Sequence, residues 1–384
     1  MNSHEPLVVF NAHLLSGDAT YRSAGISVYI DSLLQHLGLE ADGLRFQVLV
    51  GGGPGGADLS HLGFPALRSR YATHSPSRRI LWEQTVLPGL LRRLGADLLH
   101  APAFVGPLAS GCPQVITVHD LSFLRYPQFF RPANRLYLRT MTGVACRRAA
   151  AVIAVSEFTG KEVAELLRVP VSRIHPIYHG VAPRFRPLPR TDVDEFRRRQ
   201  GLPERFVLFM GTLEPRKNLI QLVRAFRKLK DPDLHLILAG AQGWFYEEIF
   251  SEVEELGLAD RVHFPGFVPA EDQPFWYNAA DAFAYVSVYE GFGMPVLESL
   301  ACGVPAVTSS TSSMPEAGGL GALLVPPDNV DAIAEAIDRI LSDEALHGEL
   351  REKGLVHAAG HSWDKTARET VAVYRRAMSG GRSM

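Results

Sequence analysis

The chain has 384 residues, too many for one ordinary hydrophobic core and suited to two domains. With 46% apolar and 21% charged residues it has the composition of a soluble globular protein, and 39 Lys plus Arg against 41 Asp plus Glu leave no global field to draw it to nucleic acid. Three cysteines, Cys112, Cys146 and Cys302, stand far apart with no CxxC pair, which argues against a disulfide frame or a thiolate zinc site and fits a reducing cytosol.

The first residues, MNSHEPLVVFNAH, lack the basic and long apolar parts of a signal peptide. No run of 18 apolar residues occurs, so a cytoplasmic chain without a spanning segment is expected, with peripheral contact at the inner membrane face left open. Strands are predicted at 7–12, 46–51, 97–100, 114–118 and 151–155, with helices between them, among them 25–38 and 132–149. Such alternation argues for βαβ units and a parallel sheet. A basic helical stretch runs from Arg78 through Trp82 to Arg93; it reads as core packing with a basic outer face, or as acceptor or membrane-surface contact. The segment 182–204 breaks the pattern with prolines and charges and reads as the linker. Beyond it, strands are predicted at 205–211, 234–240, 261–264, 282–288 and 304–308, separated by helices near 217–230, 245–256, 295–302 and 329–342. After Ser362 a last helix places Ala367, Val371 and Tyr374 on one face.

Chemistry concentrates in Glu290-Gly-Phe-Gly-Met-Pro-Val-Leu-Glu298. Asp281–Val288 before it reads as a buried strand. Pro295 suits the first turn of the helix after it, and Val296, Leu297 and Leu300 give that helix an apolar face. Gly291 and Gly293 then lie in the strand-to-helix turn, the crevice where open α/β sheets bind ligands. Glu290 and Glu298 bracket that turn. Glu298 suits ribose, because one carboxylate accepts from both the 2′- and 3′-hydroxyls. In Gly211-Thr-Leu-Glu-Pro-Arg-Lys-Asn218, Arg216 and Lys217 sit beside a helix N-terminus and suit a diphosphate, the first as a fork and the second as a compact charge. Paired carboxylates also serve glycoside hydrolases, but those need no diphosphate cradle. Val118-His119-Asp120 ends a strand on the ligand-bearing edge. Gly51–Gly56 formally satisfies GxGxxG, yet no helix opens from it, so a flexible loop is the better reading. Asp192-Val-Asp194 and Asp231-Pro-Asp233 mimic a DxD metal motif, but helix-capping and turn roles explain them, and no metal is assigned.

EGFGMPVLE followed by SLACGVPAVTS, together with GTLEPRKN and HDLSFL, resembles glycosyltransferase family 4, retaining nucleotide-sugar enzymes with the GT-B architecture. The resemblance implies an α/β fold of two Rossmann-like, doubly wound domains with an interdomain cleft. Residues 1–187 would be the acceptor domain and 188–361 the donor domain, with the helix 362–384 packing back on the first. It implies that Arg216 and Lys217 hold the donor diphosphate, and that Glu290 with Gly291, Phe292, Gly293, Met294 and Pro295 meets the transferred sugar. Glu298 would take the ribose, and Phe267 and Val268 the nucleobase. His119 would face the donor sugar near the reacting carbon, where a dipole stabilises developing positive charge. Gly25 would approach the donor phosphates, although a plain glycine opening a helix fits as well. The catalytic set is thus His119, Glu290, Arg216 and Lys217. Many relatives carry an arginine where Thr212 stands, and Asn-Gly where His179-Gly180 stands, so His179 is left without a role. No metal or cofactor is implied beyond a nucleoside diphosphate sugar as co-substrate. The GTLEPRKN subgroup leans toward GDP-mannose; UDP-glucose or UDP-N-acetylglucosamine is the alternative, and a nucleotide-sugar epimerase or hydrolase on the same scaffold is another. The expected acceptor is a glycan or lipid-linked hydroxyl in polysaccharide assembly.

Overall fold

The computed structural model describes residues 5–15, 25–40, 43–52, 63–73, 75–130 and 132–380. The glycine-rich run 53–56, and Ser23 and Ala24 before Gly25, lie outside the described residues. The chain divides into two compact units, Met1–Gly180 with Trp363–Met384, and Val181–Ser362.

The first unit holds strands β1 (Leu7–Ala12), β2 (Arg45–Gly52), β3 (Ala66–Ala72), β4 (Leu98–Ala101), β5 (Gln114–Val118), β6 (Ala151–Ala154) and β7 (Ile174–Pro176). They form one parallel sheet in the order β3-β2-β1-β4-β5-β6-β7. β1, β4, β5 and β6 are buried along their whole length, as continuous apolar runs covered on both faces must be. The two strands of this sheet absent from the sequence reading are its edges, β3 and β7: the first is the polar ALRSRYA and the second only three residues long. The expected single helix at 78–93 is two, Pro76–Thr85 and Leu87–Leu94, because Pro88 disfavours continuous helix through the residues before it.

Helix Ile26–Glu40 buries Tyr29, Ile30, Leu33, Leu34 and Leu37 on one side, and helix Trp363–Gly380 packs Trp363, Ala367, Val371 and Tyr374 into the same core. A buried polar chain ties them to the sheet. Tyr374 Oη and His100 Nδ1 lie 2.7 Å apart, His100 Nε2 and Thr117 Oγ1 2.8 Å, and Thr117 Oγ1 and Tyr29 Oη 3.2 Å. Buried polar groups are retained when satisfied in this way.

The second unit holds β8 (Arg205–Met210), β9 (Leu234–Ala239), β10 (Val262–Gly266), β11 (Ala282–Tyr285), β12 (Ala306–Ser309) and β13 (Ala322–Val325), all parallel, in the order β10-β9-β8-β11-β12-β13. The segment 182–204 is no free linker. It contains helix Arg190–Gln200, whose Val193 and Phe196 are buried and whose end is capped by Gly201 at φ +63°. Leu188 N donates to Asn278 Oδ1 at 2.9 Å and Phe185 packs edge-on against Tyr277, so this stretch belongs to the second unit. The division falls at 180/181, where the sequence reading placed it at 187/188. Charges around two apolar residues had masked the helix. Asp192 sits in its first turn, and Asp231 accepts from Asp233 N and Arg205, so both DxD look-alikes are structural.

Strand order reverses between β1 and β4 in the first sheet and between β8 and β11 in the second. Ligands of open α/β sheets bind beyond the carboxyl ends of the strands at such reversals.

Candidate active site

The loops leaving β8 and β11 meet at the reversal of the second sheet. Pro215–Lys217 makes one tight turn, and Asn218, at φ +61°, hands the chain to helix Leu219–Arg227. Asn218 Nδ2 donates to Val286 O at 3.1 Å, and Val288 N donates to Arg216 O at 3.0 Å, which stitches the two loops together. The neighbouring loop after β9 also presses close: a Cβ on Gly240 would lie 1.8 Å from Gly211 O, so only glycine fits there.

Glu290 organises what these loops present. Its Oε1 accepts from Lys217 Nζ at 2.5 Å, Ser287 Oγ at 2.9 Å and Tyr285 Oη at 3.1 Å, and its Oε2 from Arg216 Nη1 at 2.8 Å. Arg216 also donates from Nε and Nη2 to Glu214 Oε1, at 3.1 and 2.8 Å, and from Nη1 to Tyr289 O at 3.0 Å. Lys217 Nζ donates to Tyr285 Oη at 2.7 Å. Burial alone would raise the Glu290 carboxyl, but Arg216 and Lys217 overcome it and hold it at about 2. Glu290 is therefore a carboxylate at every working pH. Both its oxygens are engaged by protein donors, so its place is between the two cations, which it clamps, and little accepting capacity remains for the sugar hydroxyls expected of it.

The turn that follows is pinned from below. Ser313 Oγ donates to Glu290 O and Phe292 O, both at 2.9 Å, and Glu290 N donates to Ser312 Oγ at 3.2 Å. Gly293 has φ +115°, and a Cβ there would lie 3.0 Å from Ala317 Cβ and 3.1 Å from Met314 Cε. Phe292 is buried, Gly291 with it, and Met294 and Pro295 are half-buried at the start of helix Met294–Ala301. Val296, Leu297 and Leu300 form its buried side, as their spacing predicts. Glu298, half-buried, accepts from Tyr277 Oη at 2.9 Å. Burial pushes its carboxyl up to about 7, against the lowering effects of that hydrogen bond and of Arg184. At the end of β10, Val268 is core and Phe267 is 48% exposed.

His119 and Gly25 belong to the first unit. His119 lies just beyond β5, where its Nε2 donates to Pro102 O at 2.7 Å and its ring stands edge-on to Tyr29, centroids 4.8 Å apart. Burial lowers its pKa, against the opposing pull of the Pro102 carbonyl and Asp120, so the imidazole acts as a neutral dipole. Gly25, at φ +64°, precedes helix Ile26–Glu40, and among the described residues nothing lies within 4 Å of its Cβ position. His179 is buried and stacks on Trp363, and Ser156 caps helix Glu157–Leu167 by accepting from Thr159 N. Sequence reasoning assigned no role to Glu214, Tyr277, Tyr285, Ser287, Ser312 or Ser313. Tyr285 and Ser287 were detectable: polar groups at the end of a buried apolar strand need partners, and the next carboxylate is Glu290.

The profile "Glycosyltransferase Family 4" matches residues 23–185, and "Glycosyl transferases group 1" matches residues 192–356. Over 269 residues the chain is 32% identical to O-antigen chain mannosyltransferase B of Escherichia coli, which spans 68% of this chain and 70% of that protein. Among solved structures, sucrose-phosphate synthase from Thermosynechococcus elongatus superposes with a TM-score of 0.78 at 24% identity, over 98% of this chain and all (100%) of that one. HepE of Anabaena, solved with UDP and glucose, superposes with a TM-score of 0.74 at 19% identity, over 99% and 100% of the two chains. These likenesses match the two parallel, Rossmann-like sheets to the GT-B fold.

Proposed function

The chain belongs to the glycosyltransferases of group 1 and family 4, enzymes that transfer a sugar, and we propose that it moves mannose from GDP-mannose to a hydroxyl of a glycan or lipid-linked acceptor, with retention of anomeric configuration. Similarity to an O-antigen chain mannosyltransferase supports the sugar and the class of acceptor. One observation carries the donor assignment: two cations from the β8 loop stand at the reversal of the second sheet, locked in place by a carboxylate from the β11 loop.

In this reading Arg216 and Lys217 grip the diphosphate. Glu290 holds both in position while negative charge builds on the leaving group, so little reorganisation is needed when the bond breaks. The acceptor oxygen attacks the anomeric carbon from the face the diphosphate leaves. The carbon–oxygen bond breaks with its electron pair passing to the phosphate oxygen, and the hydroxyl proton follows it there. No divalent cation is required, since two side-chain charges do its work. Glu298 reads the ribose diol. Its carboxyl stands near 7, so two donated hydroxyls favour the carboxylate and nucleoside binding releases a proton.

Thermal-shift titration with GDP, UDP and their sugars tests the donor. GDP-mannose should stabilise the protein most. A preference for UDP-glucose would favour the second reading, in which the donor is the nucleotide class seen in HepE. Arg216→Ala or Lys217→Ala should each reduce turnover about 10²–10³-fold, in the range of losing one transition-state donor. Full activity in both variants, or turnover abolished by EDTA, would overturn the phosphate assignment.

A further inference from the structure

An open cavity of 540 Å³ lies in the second unit at the amino ends of β8, β11 and β12, on the sheet edge opposite the loops that carry Arg216, Lys217 and Glu290. Helices Arg190–Gln200 and Glu344–Ala359 both contribute to its wall, and Leu188, Val193, Val304 and Ile340 supply apolar surface. Among the described residues no aromatic ring lines it except the His347 imidazole.

The lining carries four arginines and three carboxylates, and most of the arginines are spent within the protein. Arg197 donates from Nη1 to Ala279 O and from Nη2 to Pro203 O, both at 2.6 Å, and Arg205 pairs with Asp231 at 2.5 Å. Arg190 faces Asp194 at 3.8 Å. Arg351 differs. Its Nε stands 3.1 Å from where a Cβ on Gly303 would lie, and among the described residues its guanidinium meets no acceptor. Acceptors are left over too. Asp281 Oδ2 takes Phe206 N at 2.8 Å, which leaves Oδ1. His347 Nε2 donates to Asp281 O at 3.3 Å, which leaves Nδ1 to accept on a neutral ring. The Glu344 carboxylate has no partner among the described residues.

A fork shaped for an oxyanion therefore shares one cavity with three acceptors that want donated hydrogens. An inorganic anion would satisfy Arg351 but bring nothing to the carboxylates. A cation would satisfy the carboxylates and be repelled by the arginines. A nucleotide would find no aromatic surface for its base, although the volume lies within the range of small-molecule sites. A phosphorylated sugar has both halves, an oxyanion at one end and several donating hydroxyls along the ring. We propose that this cavity is a second ligand site, seating a hexose phosphate with its phosphate on Arg351 and its hydroxyls donating to Asp281, His347 and Glu344. The site shares no residue with the donor cradle, so the assignment stands apart from the donor reading.

Isothermal titration of the full chain with mannose 6-phosphate, glucose 6-phosphate and mannose 1-phosphate tests this, with inorganic phosphate and free mannose as the separated halves. At least one ester should bind the wild type about tenfold or more tighter than either half. Arg351→Met, which keeps the stem beside Gly303, should weaken that ester about tenfold or more, as loss of a charge-assisted contact does. GDP affinity in this variant should stay within about twofold, because the two sites are separate. Glu344→Gln should weaken the ester and leave inorganic phosphate unchanged or tighter, since it removes a hydroxyl acceptor and a negative charge together. Both residues are exposed on one helix, and unfolding temperatures check that the variants fold. Arg216→Ala should retain the ester. No ester bound by the wild type, ester binding unchanged in Arg351→Met, or inorganic phosphate bound as tightly as every ester overturns the assignment. So does an ester lost in Arg216→Ala and kept in Arg351→Met, which would put it in the donor cradle.

Discussion

Glu290 and Glu298 flank one turn, and their surroundings drive their acidities apart. Glu290 is held at about 2 by two cations, while Glu298 is pushed up to about 7 by burial with a tyrosine hydroxyl as its nearest partner. The second shift has a measurable sign. Between its ordinary value of 4.5 and about 7, the folded carboxyl keeps a proton that the unfolded one has lost. Stability contributed by this group is therefore greatest below 4.5 and falls as pH rises to about 7, beyond which it is level. Relative to Glu298→Gln, the wild type should lose up to about 3 kcal/mol across that window, read from chemical unfolding at a series of pH values. A constant difference between the two proteins would show that the carboxyl titrates normally. Both glutamates stood out in the linear chain by their positions around the glycines. Their opposite acidities did not, because Glu298 answers to Tyr277, 21 positions away, and Glu290 to Lys217 and Arg216, 73 and 74 positions away.

At the scale of an element, the turn from β11 into helix Met294–Ala301 depends on a glycine that no other residue replaces without strain. Gly293→Ala puts a methyl within about 3 Å of Ala317 and Met314 at a positive φ. It should cost about 1–3 kcal/mol and weaken nucleotide binding. Gly348→Ala is the control, since that glycine lies inside helix Glu344–Ala359 with nothing near its Cβ position and should gain up to about 1 kcal/mol from helix propensity. Equal effects of the two substitutions on unfolding temperature would remove the steric account. The elements foreseen were those whose apolar runs are buried on both faces, such as LVVFNA and RFVLFM. Among those overlooked, edge strand β3, three-residue β7 and helix Arg190–Gln200 with its two buried side chains had little apolar surface to show, and the edge strand β13, ALLV, is apolar but only four residues long.

At the scale of the whole molecule, the chain leaves its first unit at Gly180 and returns to it at Trp363, so the final helix completes a core begun hundreds of residues earlier. Tyr374→Phe would strip His100 of a buried partner. It should destabilise the first unit by about 1–3 kcal/mol, seen as an earlier first-unit transition in calorimetry with the second-unit transition unmoved. Movement of both transitions, or of neither, would contradict the division. The linear chain by itself determined the alternation of strands and helices, the strand-to-helix turn with its glycines, and the pair of bases beside a helix start, because these follow from local periodicity and backbone freedom. Only tertiary structure decided that Glu290 faces Lys217 and Arg216 and that Glu298 lies under Tyr277. Those pairings arise from which strands lie side by side where a sheet reverses, and neighbours across a sheet leave no mark at fixed spacing in sequence.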